Sequence, residues 1–122
     1  MIIYINTIMT MSYKKWDVVF VSFPNQEDKS KSTNRPAIIL DFINEYIKIC
    51  PITKQLHQKK HYPNSILVSY NTFECKCMGL IVDSLIVVDR VELINSDRIL
   101  KRPFGTCPTS IITKIRALLG DN

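Results

Sequence analysis

Two stretches hold the side chains best suited to gripping a phosphate. "STNRPAIIL", residues 32 to 40, puts Arg35 where a polar loop stiffens into an apolar run, with Pro36 directly after it. "CPITKQ", residues 50 to 55, puts Thr53 and Lys54 at the end of another such run. A guanidinium is planar, permanently charged and able to bind two phosphate oxygens at once. A threonine hydroxyl can donate to a third. If the runs are antiparallel strands joined by a turn at Asn44, with Ile38 opposite Ile49, then Arg35 and Thr53 reach the same sheet edge within a few residues. Lys29 and Lys31 precede Arg35, and His57, Lys59 and Lys60 follow Thr53. Two basic loops of this kind can follow a nucleic-acid backbone. The plainer reading is a solvated strand-end arginine, a β-forming threonine and solubilising lysines. Residue types alone leave both open.

Other chemistries fit less well. His57 and His61, with Cys75 and Cys77, contain the donors of a zinc site. However, the histidines sit in a loop with Pro63 close behind, and C-x-C on a strand or turn is not the usual C-x2-C knuckle. No metal site is expected. There is no G-x-S-x-G and no Cys–His pairing that spacing can place. With only three glycines, the chain carries no glycine-rich phosphate loop.

The elements that must position Arg35 and Thr53 are short. "KKWDVVFVSFP" reads as a strand over about residues 16 to 23, stopped by Pro24. "NQEDKSKSTN" is a solvated loop without one apolar residue. "RPAIILDFI" and "YIKICPITK" are the next strands, the second interrupted by Pro51. "QLHQKKHYPN" is a basic loop, "SILVSY" a fourth strand, and "GLIVDSLIVVDRVELI" one or two more. In "CPTSIITKIRALLGDN", Ile111, Ile112, Ile115, Leu118 and Leu119 follow the spacing of a helix with one apolar face. Thr109 or Ser110 can cap its start and Gly120 its end. Short antiparallel strands with a terminal helix suggest a small barrel or a strongly bent sheet.

The whole chain is consistent with that. Its 122 residues suit one domain, with 46% hydrophobic and 22% charged residues. The net charge of +5 and pI near 9.1 favour an anionic partner. "MIIYINTIMT" has neither the basic start nor the cleavage site of a signal peptide, and it is too short to span a bilayer. A cytoplasmic protein with four reduced cysteines, Cys50, Cys75, Cys77 and Cys107, is therefore expected. Residues 1–12 read as an N-terminal extension, either an extra strand or a tail, and 13–122 as the domain.

"WDVVFVSFP", a polar loop, "NRPAIIL", "CPITKQ" and "GLIVDSLIVVDRVELI", ending in an amphipathic helix, together resemble the MazF/PemK family of bacterial toxins. The likeness runs over about residues 13 to 119. It implies a mainly β fold with a C-terminal helix, an SH3-like small barrel of the MazF/PemK/CcdB type, mostly found as a homodimer. It also implies the toxin of a type II toxin-antitoxin system: a metal-independent, sequence-specific endoribonuclease acting on single-stranded RNA and held in check by a cognate antitoxin. By the same resemblance Arg35, Thr53 and Asp89 take the catalytic positions, and Lys29, Lys31, Ser32, Lys54, Gln55, His57, Lys59 and Lys60 the RNA-binding ones. No cofactor is implied.

The chain departs from the family pattern at several points. Trp16 stands where a glycine is usual, Arg90 for a glutamine, Glu92 for a basic residue, and Val82 for a lysine or arginine. Ser30 sits where some members carry an acid. Tyr62, His61, His57, Phe23 and Asn25 are candidate stacking partners for unpaired bases. The alternative is a non-catalytic RNA- or peptide-binding module on the same barrel.

Overall fold

The computed structural model describes residues 13–24, 30–100 and 103–120. The expectations for residues 1–12, and for Asn25 and Lys29, lie outside them. Seven strands are described: β1 (Asp17–Pro24), β2 (Ser32–Ile43), β3 (Tyr46–Thr53), β4 (Ser65–Val68), β5 (Ser84–Val87), β6 (Glu92–Asn95) and β7 (Gly105–Thr106). They form one antiparallel sheet in the order β4-β5-β3-β2-β1-β7, with β6 also paired to β3. Two helices complete it: α1 (Phe73–Cys77) and α2 (Thr109–Leu119). None among the described residues is long and apolar enough to cross a membrane.

The sheet curls because β3 has three neighbours. Its first half pairs with β2 on one side and β6 on the other, and its last residues pair with β5. The "AIIL" run therefore reads as continuous hydrophobicity, since both faces of β2 are covered. Ile38 and Leu40 join one core with Cys50, Ile52, Ile86 and the helix residues Ile111 and Ile115. Ala37 and Ile39 join a second core with Val19, Val21, Ile47, Ile49 and Ile94. Each fully buried isoleucine contributes about 2–3 kcal/mol of transfer free energy.

The expected register was off by one: Ile39, not Ile38, faces Ile49, and Ile38 faces Cys50. The hairpin closes at Ile43↔Tyr46, and an irregularity between Ile39 and Asp41 then shifts the pairing by one, an extra residue that periodicity cannot reveal. Asn44 turns the hairpin at φ +57°, a left-handed conformation that asparagine tolerates. The prolines were also expected elsewhere. Pro36 lies inside a strand that begins at Ser32, and Pro51 lies inside β3 rather than breaking it.

Two further elements differ from the expectation. Leu56–Lys60, expected as loop, is a turn of 3-10 helix. Cys75 and Cys77 sit on α1, not on a strand or open turn; the Thr72 hydroxyl caps this helix by accepting from the Cys75 amide. α2 starts with Pro108 in the N-cap position, without a side-chain cap, so neither Thr109 nor Ser110 caps it. Ser110 donates to Glu74 on α1 instead. Gly120 does close α2, at φ +78°.

Trp16 adopts φ +74°, the conformation that explains why glycine is usual there. The indole offsets that strain by packing: it lies against the first core and under the Arg116 guanidinium, 5.5 Å from the ring centroid.

Candidate functional site

Pro36 and Pro51 bring no N–H to the hairpin ladder, and the β2–β3 pairing ends at Ala37↔Pro51. Beyond that pair β3 turns away to join β5 through Ile52↔Ile86 and Thr53↔Leu85. β2 continues along β1, with Arg35 opposite Val21. Continuing the register two residues past Ala37↔Pro51 reaches Arg35 on one strand and Thr53 on the other. Both then lie on the same face, at the point where the strands part.

A groove of about 640 Å³ opens at this split. Arg35, Thr53, Lys54 and Gln55 line one part of it, with Asn34 and Ser84 as further polar groups. The Thr53 hydroxyl oxygen accepts the Gln55 amide at 3.1 Å, which leaves the hydroxyl proton available to donate into the groove. Among the described residues no carboxylate pairs with Arg35. Among the described residues the lining holds no carboxylate and no imidazole. Its chemical endowment is therefore cationic and hydroxylic: it can bind and stabilise an anion.

The remaining wall was not foreseen. Phe20, Phe104 and the segment Gly79–Val82 close the groove with apolar surface. Phe20 and Phe104 meet edge to face, 6.4 Å apart. The signal that could have found this wall is the pair of glycines. Gly79 has φ +71°, and a Cβ there would collide with the Phe104 backbone; a Cβ at Gly105 would collide with the Met78 backbone. Two chain segments touch without side chains between them, and that contact sets the wall's position.

The other candidate residues divide clearly. Lys31 and Ser32 are exposed at the start of β2. His57 and Lys60 are exposed on the 3-10 turn and do not line the groove. Lys59 is engaged by its own loop, donating to Ser65 O at 2.8 Å and Pro63 O at 3.3 Å. Asp89 is also outside the lining. Its two oxygens accept from the Asn64 backbone N–H at 3.0 Å and side-chain amide at 2.9 Å. The structure thus brings Arg35 and Thr53 to one groove and leaves Asp89 bound at another corner. Asp83 likewise accepts the Tyr70 N–H. Two departures from the family pattern partner each other: Arg90 reaches Glu92 at 3.4 Å.

The Cys50 and Cys107 thiols are not placed for chemistry. Burial pushes Cys107 up to about 12, with nearby Asp17 adding to the effect. Burial raises Cys50 further still, and its Sγ lies 3.4 Å from Val87 O. Among the described residues no three His, Cys, Asp or Glu side chains converge as metal ligands.

Fold and groove together define a small SH3-like antiparallel barrel with a C-terminal helix and a cleft lined by Arg35, Lys54 and Thr53 at the split of its central hairpin. The chain belongs to the PemK-like, MazF-like toxins of type II toxin-antitoxin systems, whose family pattern matches residues 14–121. Among solved structures it is similar to MazE-MazF (Form-II) from Deinococcus radiodurans. There the TM-score is 0.63 and the identity 18%, over 88% of this chain and 92% of that one. The Form-III MazE-MazF structure from the same organism gives 0.63 and 18%, over 90% and 98%. MazF alone (Form-I) gives 0.62 and 18%, over 88% and 93%. At this identity the likenesses speak for the fold. No curated protein matches the chain.

Proposed function

We propose that this toxin is a metal-independent endoribonuclease that cuts single-stranded RNA by attack of a 2′-hydroxyl on the adjacent phosphorus. The observation that carries this reading is the shared groove of Arg35 and Thr53, with Lys54 beside them. In the reaction the 2′-oxygen bonds to phosphorus, the bond to the 5′-oxygen breaks, and a 2′,3′-cyclic phosphate remains. The attacking hydroxyl loses a proton and the leaving oxygen gains one. Arg35 stabilises the charge that grows on the phosphorane, and the Thr53 hydroxyl holds a non-bridging oxygen. Arginine does not deprotonate in proteins, so its task is charge stabilisation rather than acid catalysis. The apolar wall and the amides of Asn34 and Gln55 suit unpaired bases, which bind by stacking and by their edges.

A cognate antitoxin covering the groove, a homodimer and a cytoplasmic setting belong to the same proposal. Support for the antitoxin and the dimer comes from the family and from the MazE-MazF assemblies of the similar structures.

The second reading, a binding module that does not cut, draws on one observation: the oxygens of Asp89 hold Asn64. Incubation of the pure protein with mixed-sequence RNA in EDTA separates the two. Cleavage that Arg35→Ala abolishes supports the nuclease. Retention of RNA without cleavage supports the module. Equal cutting by Arg35→Ala removes the site assignment.

A further inference from the structure

Phe23 reads from sequence as a surface for stacking a base, but its ring already has a neighbour. The guanidinium carbon of Arg35 lies 5.7 Å from the ring centroid. Strand register produces the contact. Arg35 faces Val21 and Phe23 faces Thr33, so the two are diagonal neighbours on one face of the β1–β2 ladder. The ring is itself anchored, because it packs against the second core, whose members include Val21, Ala37 and Ile39. One side of the contact is thus tied to a buried cluster.

An aromatic partner suits this arginine better than a carboxylate would. A carboxylate would occupy N–H donors and cancel the charge needed at the phosphate. A ring face attracts the cation through its quadrupole and takes no donor away. Pro36 restricts the backbone directly after Arg35, so the side chain is limited from both ends.

We propose that Phe23 is a positioning residue: its ring holds the Arg35 guanidinium oriented towards the Thr53 side of the groove before RNA arrives. This rests on the reading of Arg35 as the charge-stabilising group. A misplaced arginine still binds phosphate but meets the transition state poorly, so the effect falls on kcat rather than KM.

The test combines kinetics with a contact measurement that needs no RNA. In the wild type, the Arg35 δ-methylene protons are expected upfield, shielded by the Phe23 ring. Phe23→Leu removes that shift and lowers kcat about 5- to 10-fold, with KM unchanged within about twofold. Phe23→Tyr restores both the shift and the rate. Unshifted Arg35 protons in the wild type overturn the proposal even if Phe23→Leu fails to fold. A rise in KM at constant kcat overturns it in favour of base stacking. An unchanged rate for folded Phe23→Leu overturns it while leaving the nuclease reading intact. Absence of any cleavage by the wild type overturns both.

Discussion

The groove mouth and the Asp89 corner are both polar sites at strand ends, and they are built in opposite ways. At the corner each oxygen of Asp89 accepts a hydrogen bond from Asn64, and Lys59 grips the carbonyls of Pro63 and Ser65 close by. The chain satisfies itself there. At the groove mouth Arg35 has an aromatic ring beside it and no carboxylate partner among the described residues. The Thr53 hydroxyl accepts one hydrogen bond from its own chain and keeps its proton for another acceptor. Polar groups that hold a fold are saturated by it; groups held ready for a ligand are oriented but left with capacity.

That contrast breaks most visibly at Arg35. Arg35→Ala is expected to lower RNA cleavage by about 10²- to 10³-fold, the cost of removing one preorganised charge-stabilising group. Its melting temperature should fall by no more than about 4 °C, the loss of the contact with Phe23, because no ion pair with a described residue is lost. Parallel cleavage assays and thermal unfolding check this. A large drop in stability would mean that Arg35 serves the fold as Asp89 does.

Gly79→Ala probes the wall that shapes the groove. The new Cβ meets the Phe104 backbone at a residue with positive φ, so strain and overlap add. A loss of about 3 kcal/mol or more is expected in denaturant unfolding. Gly120→Ala, where the same conformation faces open space, should cost about 1 kcal/mol. Near-equal losses would show that the Met78–Phe104 approach relaxes freely.

The corner gives the converse of Arg35→Ala. Asn64→Ala removes the side-chain donor to Asp89, keeps the backbone one, and should cost about 1 kcal/mol of stability. Cleavage should stay within about twofold. If activity falls far more than stability, Asp89 acts on RNA as the family resemblance implies.

The last effect concerns pH. The Cys107 thiol titrates near 12 in the native protein, raised by burial above its ordinary value of 9.0. The unfolded chain therefore releases this proton first. Stability from this group is complete below pH 9 and declines as pH rises towards 12, by up to about 1.4 kcal/mol per pH unit. Unfolding midpoints between pH 8 and 10.5 should fall less steeply for Cys107→Ala than for the wild type.

Much of this was legible in the chain. Continuous apolar runs rich in β-branched residues marked the central hairpin, and the helix face of Ile111 and Ile115 was readable from its period. The convergence of Arg35 and Thr53 on one groove was readable because arginine and threonine at strand ends can be brought together by one turn. Three features were not legible, each for a physical reason. The irregularity near Leu40 shifts register without leaving a pattern. The five-residue helix at Phe73–Cys77 is too short to show a period. The engagement of Asp89 depends on Asn64, 25 positions away, and no local spacing records that.

Cleavage by the proposed route depends on one hydroxyl of the RNA. An RNA carrying the cleavage site is compared with the same RNA bearing a single 2′-deoxy substitution at the scissile nucleotide, both in EDTA, with the fragment ends read by mass. The first should yield a 2′,3′-cyclic phosphate, and the second should show no cut at that position. Continued cleavage at the deoxy position would contradict that route.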